Sequence, residues 1–252
     1  MYNYREWARE FDQFVANGNL PNLSLVRFPH DHFGNFSTAS YGLNTPALQI
    51  SDNDYAVGLL VQKVASSPYA KNTLIFVIED DAQDGPDHID AHRSIAYVVG
   101  PYVKQGAVVS QRYTTVNMVR TMEVILGLSP SSINSAGAAP MTEVFDPLQN
   151  TWAYQARIPS LLTGTGVPTT TGEVVPEGKR PAKFYNRRSA AYWQKKLGGE
   201  DYDEEDKLDT PRFNRELWKG IMGKVPYPKQ RSGQDLRQNR QALLARYGIV
   251  AK

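Results

Sequence analysis

Between Glu79 and His92 the chain places six carboxylates (Glu79, Asp80, Asp81, Asp84, Asp87, Asp90) and two imidazoles (His88, His92) within fourteen positions. Carboxylates crowded to this degree repel one another, so a positive charge must offset them. Oxygen ligands mixed with imidazole suit a divalent cation such as Zn²⁺, Mn²⁺ or Fe, with Ca²⁺ or Mg²⁺ if oxygen dominates. The competing reading is a solvated acidic loop whose histidines only cap or hydrogen-bond. The run follows a continuously apolar stretch, and that position favours the metal. A second cluster is Pro29-His30-Asp31-His32. His30 and His32, two residues apart, project to opposite sides of an extended chain, so one site should not use both. His32, followed by Phe33-Gly34, is expected to turn inward and His30 to stay at the rim. Taken alone, this cluster reads equally well as an ordinary polar loop.

These clusters need elements to position them. Trp7, Phe11, Phe14 and Val15 predict an amphipathic helix over 4–15, stopped by Gly18 and Pro21. Leu23 to Phe28 reads as a short strand that runs into the second cluster. Asp52 is a candidate cap for a helix with a Tyr55, Leu59, Leu60, Val64 stripe, ending near Ser66-Ser67-Pro68. Thr73 to Ile78 suits a strand buried on both faces, and Ser94 to Val99 reads as a third strand, closed by Gly100-Pro101. Thr114 to Leu126 reads as a helix ended by Gly127. The alternation of strands and helices predicts an α/β sheet with flanking helices, in which ligands gather at strand ends.

The composition excludes several classes. Of 252 residues, 41% are hydrophobic and 21% charged, the balance of a globular chain. No apolar run approaches the roughly 18 residues of a membrane span, and Met1-Tyr2-Asn3-Tyr4 opens no signal peptide. With no cysteine there are no disulfides and no thiolate metal sites. The net charge of +2 hides an asymmetry: residues 1–150 carry 9 Lys and Arg against 15 Asp and Glu, residues 151–252 carry 19 against 11. Residues 1–150 are therefore expected to hold the chemistry. Residues 151–252 are expected to form an extended linker and short helices that wrap the first unit or a neighbour, too polar for a second core. Gly164 to Pro181 reads as the linker, Phe213, Leu217, Trp218 and Ile221 as one apolar helix face, and Asp235 to Tyr247 as a last, charged helix. The aromatic residues among the basic ones (Phe184, Tyr185, Tyr192, Trp193) read as packing anchors rather than a nucleic-acid groove, because an acidic run, Glu200 to Asp209, interrupts the basic face.

At the two clusters the chain resembles the alkaline phosphatase superfamily, and within it the bacterial phosphoesterases related to acid phosphatases and phospholipase C. Thr73 to Asp81 is similar to the strand that ends in a metal-binding Asp-His pair, with Asp80 at the Asp and Asp81 in place of the His. His92, followed by Arg-Ser-Ile-Ala-Tyr-Val-Val-Gly-Pro, resembles the later ligand His that precedes a strand. Pro29 to Gly34 is similar to the Asp-His-Thr-x-Gly element, with Phe33 where Thr is usual. Ser51 to Asp54, Ser66 to Tyr69, Thr121 to Leu128 and, sparsely, Asp206 to Pro228 extend the likeness.

The resemblance implies an alkaline-phosphatase-like α/β sheet and metal-dependent hydrolysis of a phosphate ester. Bound cations would polarise the phosphoryl oxygens and activate the attacking hydroxyl. Asp80, Asp81 and His92 would be ligands, with Asp31 and His32 from the neighbouring strand end, and His88 with Asp87 would orient them or add to them. The family's Ser or Thr nucleophile lies before the element that begins near Leu20, where this chain has twenty residues without Ser or Thr. No nucleophile is therefore assigned, and the sheet is expected to lack its first strands. A complementary N-terminal half, or self-assembly into a homo-oligomer through the open sheet edge, follows from that expectation. The alternative reading is a non-catalytic module that keeps the metal site. Relatives in the family are commonly periplasmic or secreted. On this reading Asp80→Ala or His92→Ala removes most bound metal, and His30→Ala has a much milder effect.

Overall fold

A computed structural model describes residues 2–34, 36, 40–79, 94–148, 150–162, 165, 188–200 and 208–227. Helix α1 runs from Tyr2 to Asn17 and helix α2 from Pro46 to Ala65. Tyr4, Trp7, Ala8 and Phe11 recur at helical spacing, so one face of α1 is apolar and packs on α2. The core between them holds Tyr4, Phe28, Leu43, Tyr55, Ala56, Leu59 and Leu162. Lys63 of α2 closes the outer side of the pair on Asp12 of α1 at 2.7 Å.

The start of α2 differs from expectation. Thr45 is the cap, its Oγ1 accepting the Leu48 N–H at 3.3 Å, and Pro46 opens the helix. Proline in a first turn loses no hydrogen bond and has its φ already set, so Thr45-Pro46 is a stronger start signal than Asp52. Asp52 consequently lies inside the helix, on its buried face.

Strands β1 (Ile75–Ile78) and β2 (Ala96–Val99) pair antiparallel, Ile75 opposite Val99 and Ile78 opposite Ala96. Among the described residues they form the one sheet. Phe76 and Val98 are cross-strand partners, and both pack on a second apolar cluster of Met118, Met141 and Val144. That covers one face. The other carries the exposed Tyr97, so β1 is half-buried rather than buried on both faces. Leu23 to Phe28 forms no strand: no strand pairs with it among the described residues, and Leu25 is 88% exposed.

Helix α3 (Thr115–Ile125) lies over the sheet's covered face, and Asn117 Oδ1 accepts the Thr114 N–H at 2.8 Å at its start. Gly127 ends it with φ 68°, a conformation that a side chain disfavours. The short helix α4 (Ile133–Gly137) follows a turn held by Glu123, which accepts from the N–H and hydroxyl of Ser131 at 2.8 and 2.6 Å. The chain then returns along α2, with the Ala156 N–H on Gln62 Oε1 at 2.8 Å and the Trp152 indole on the Ala70 carbonyl at 2.8 Å.

Helices α5 (Ala190–Leu197) and α6 (Thr210–Met222) carry a third apolar cluster. Trp193, Leu197 and Phe213 bury against Phe36, and the Phe33 ring stacks on Phe213 at 6.0 Å. A Cβ at Gly220 would overlap the Trp193 ring, so the two helices meet only through glycine there. The C-terminal part thus holds a small core despite its polar composition. Gly164 is outside the described residues, as are 166–187 and the 235–247 segment expected to be helical.

Candidate functional site

The loop from Phe28 to Gly34 is held by one face of α2. Asn53 Nδ2 donates to the carbonyls of Phe28 and Pro29 at 3.3 and 3.0 Å. Gln49 Nε2 donates to the Gly34 carbonyl at 2.7 Å. Between these clamps, His30 Nδ1 lies 2.8 Å from Asp52 Oδ2. Gln49, Asp52 and Asn53 stand at i, i+3 and i+4, the spacing that puts side chains on one helix face. The loop is therefore fixed by three side chains from a rigid element rather than by its own turns.

The three histidine-loop residues are treated differently. His30 sits at φ 64°, and its side chain is 26% exposed against 3% for its Asp52 partner. Positive φ is uncommon outside glycine, and the Asp52 contact accompanies it here. His32 is 59% exposed, its Nδ1 3.4 Å from Asp31 Oδ1. The orientation expected of the pair is thus reversed: His30 turns in and His32 faces out, because the buried carboxylate on α2 lies within reach of His30. Asp31 Oδ2 lies 2.5 Å from Arg27 Nε. Partial burial pushes the Asp31 carboxyl up, but the hydrogen bonds and charges of Arg27 and His32 outweigh it and hold it below the usual range.

The acidic run begins where the sheet ends. The Glu79 N–H donates to the Ile95 carbonyl at 3.1 Å, so the chain leaves β1 and enters β2 at the same end of the sheet. Asp80, Asp81, His88 and His92 lie outside the described residues. Among the described residues no group of three or more His, Asp or Glu side chains is placed to hold a metal ion. No known family, curated protein or solved structure matches the chain. No helix among the described residues is long and apolar enough to cross a membrane.

The sequence reading missed the role of Asp52, which it took for a helix cap. The signal that would have found it is the polar triplet Gln49, Asp52, Asn53 on a helix face otherwise made of Tyr55, Ala56 and Leu59. A polar stripe toward an apolar core must be satisfied by something. Here the loop's carbonyls take the amide N–H groups of Gln49 and Asn53, and the His30 ring takes Asp52 Oδ2.

Proposed function

We propose that this chain carries the metal-binding part of a phosphoesterase, hydrolysing a phosphate ester with the help of a divalent cation. The observation that carries the reading is the run of six carboxylates and two imidazoles from Glu79 to His92, which starts at the end of a strand. Its resemblance to bacterial phosphoesterases of the alkaline phosphatase superfamily, an α/β fold class, supplies the reaction type. A cation bound there would act as a Lewis acid on a phosphoryl oxygen. Asp80, Asp81, His88 and His92 are the residues proposed to hold it, with Asp31 and His32 proposed from the loop after Phe28. Arg27 already takes one oxygen of Asp31, so Asp31 would bind a cation through the other oxygen or by exchanging Arg27 for it. Hydrolysis of a chromogenic phosphate monoester by the chain, abolished by a chelator and restored by Zn²⁺ or Mn²⁺, is the expected result. Metal-independent turnover, or none with any divalent ion, counts against an active phosphoesterase.

A second reading is a non-catalytic module that acts in self-assembly or partner binding. The observation that favours it is the sheet itself: two strands of four residues, each with one edge unpaired among the described residues, and exposed Ile95 and Tyr97 beside them. Isolated two-stranded sheets are marginal in water, and an open edge is a template for pairing. Sedimentation equilibrium separates the outcomes, with a dimer or larger closed assembly expected on this reading and a monomer opposing it.

A further inference from the structure

We infer that the outer face of α6 is a docking surface for an anionic lipid bilayer, on which the helix lies flat without crossing it. The inference stands apart from the metal reading above. The residues of α6 divide between two opposite faces. Phe213, Leu217, Gly220 and Ile221 form the inner one, packed against Trp193 and the rest of the third apolar cluster. Arg215, Trp218, Lys219 and Met222 stand at i, i+3, i+4 and i+7, a single stripe on the other side. Gly223, at φ 63°, ends the helix and turns the chain back along this stripe. The Trp218 indole N–H donates to the Val225 carbonyl at 2.9 Å, and the Tyr227 ring meets Trp218 edge-on at 5.8 Å. The Arg215 guanidinium lies 5.0 Å from the centre of the Tyr227 ring. Met222 and Val225 are left 37% and 48% exposed, with Lys219 and Lys224 exposed beside them.

Charge and chemistry select the partner. Among the described residues no carboxylate pairs with Arg215, Lys219 or Lys224. Glu216 is taken by Lys196 of α5 at 3.4 Å and Glu200 by Arg212 at 2.9 Å. After Tyr227, residues 228–252 add six Lys and Arg against one Asp. The partner must therefore be anionic. It must also accept apolar side chains, because Met222, Val225, Trp218 and Tyr227 sit among the cations. Aromatic and aliphatic residues rimmed by Lys and Arg suit the headgroup boundary of an anionic leaflet. The Trp218 N–H is already bonded within the chain, so the ring enters a less polar layer without losing a hydrogen bond. A nucleic acid fits this surface less well. Single strands are held by stacking bases on open aromatic faces, and here Arg215 covers one face of Tyr227.

The test uses the full chain in the presence of a chelator, so that no metal-dependent turnover enters. Binding is read by co-sedimentation with vesicles of phosphatidylcholine alone, or of phosphatidylcholine mixed with phosphatidylserine. The parent chain should bind the mixed vesicles, leave the neutral ones, and be released as salt rises. A basic residue near an anionic surface contributes about 5-fold, so Lys219→Gln with Lys224→Gln should weaken binding ~25-fold. Met222→Ser with Val225→Ser keeps every charge, removes the apolar contact, and should weaken binding at least ~5-fold. All four side chains are exposed, so hydrogen-exchange protection of α6 should stay parent-like in both double variants. A parent chain that binds neither vesicle, or both equally, overturns the inference, as do two double variants that bind like the parent. Loss in the lysine variant alone means attraction without insertion and overturns the apolar contact. Binding of a single-stranded oligonucleotide without binding of vesicles makes this a nucleic-acid surface and overturns the inference. None of these results bears on phosphate-ester hydrolysis, which is read by turnover.

Discussion

Replacing Trp193 by Ala asks whether the C-terminal helices are held to the histidine loop by one apolar contact. Trp193 is 2% exposed, its ring lies 6.5 Å from Phe36, and it meets Tyr192 edge-on at 5.3 Å. Burying a tryptophan removes about 150–250 Å² from water. At about 25 cal/mol per Å² that is worth roughly 4–6 kcal/mol. Measured truncations of buried aromatic residues cost about 3–5 kcal/mol. The cluster is small, so its neighbours can partly collapse into the space, and about 3 kcal/mol is expected. The loss should be local, because the cluster joins α5 and α6 to Phe33 and Phe36 and shares no residue with the core between α1 and α2. Hydrogen exchange read by mass spectrometry resolves this. Peptides covering α5 and α6 should lose about 100-fold in protection, the equivalent of about 3 kcal/mol. Peptides from α1 and α2 should be unaffected. Unchanged protection in α5 and α6 would refute the packing argument, and an equal loss in α1 and α2 would refute the separation into local clusters.

Two further perturbations test the supports of the fold and the loop. The hydroxyl and N–H of Ser131, with Arg120, hold the Glu123 carboxyl down at about 2 from an ordinary 4.5. Because the folded value is the lower one, its stabilisation is complete above the ordinary value and is lost as pH falls from 4.5 toward about 2. Glu123→Gln should therefore be less stable than the parent at pH 7 and show a flatter fall in denaturant midpoint over that acid range; parallel curves would contradict this. Asn53→Ala removes both donors to the Phe28 and Pro29 carbonyls and should cost about 1 kcal/mol, with faster protease cleavage between Phe28 and Gly34. Cleavage at the parent rate would mean that the clamp on the loop is dispensable.

Elements with strong local signals were legible in the sequence. Helices α1, α3 and α6 follow from apolar spacing, and Gly127 stops α3 where expected. Apolar runs located β1 and β2 but also implied a strand over Leu23 to Phe28, with which no strand pairs among the described residues. Composition states that a segment can pair, and pairing itself depends on a neighbour. The beginning of α2 was misplaced by seven residues, from the Thr45 cap to Asp52, because Asp52 has a capping side chain, while Thr45-Pro46 has both the cap and the proline. What makes Asp52 important is a histidine 22 residues earlier, and no local pattern reports that distance. The third cluster is hidden for the same reason: Phe36 and Trp193 are far apart in the chain, and each alone looks like an isolated aromatic residue in polar surroundings. At the candidate site, the sequence identified the histidine loop but reversed which ring turns inward. Four of the proposed ligands, Asp80, Asp81, His88 and His92, belong to the part of the chain that the structure does not describe.

The central claim is that the Glu79 to His92 run holds a divalent cation, and metal content tests it most directly. Elemental analysis of the chain, purified without chelator, should give one or two divalent ions per molecule, as the resemblance implies. Asp80→Ala and His92→Ala should each abolish most of that content. A parent chain with no bound metal, or variants that keep the full stoichiometry, would contradict the account.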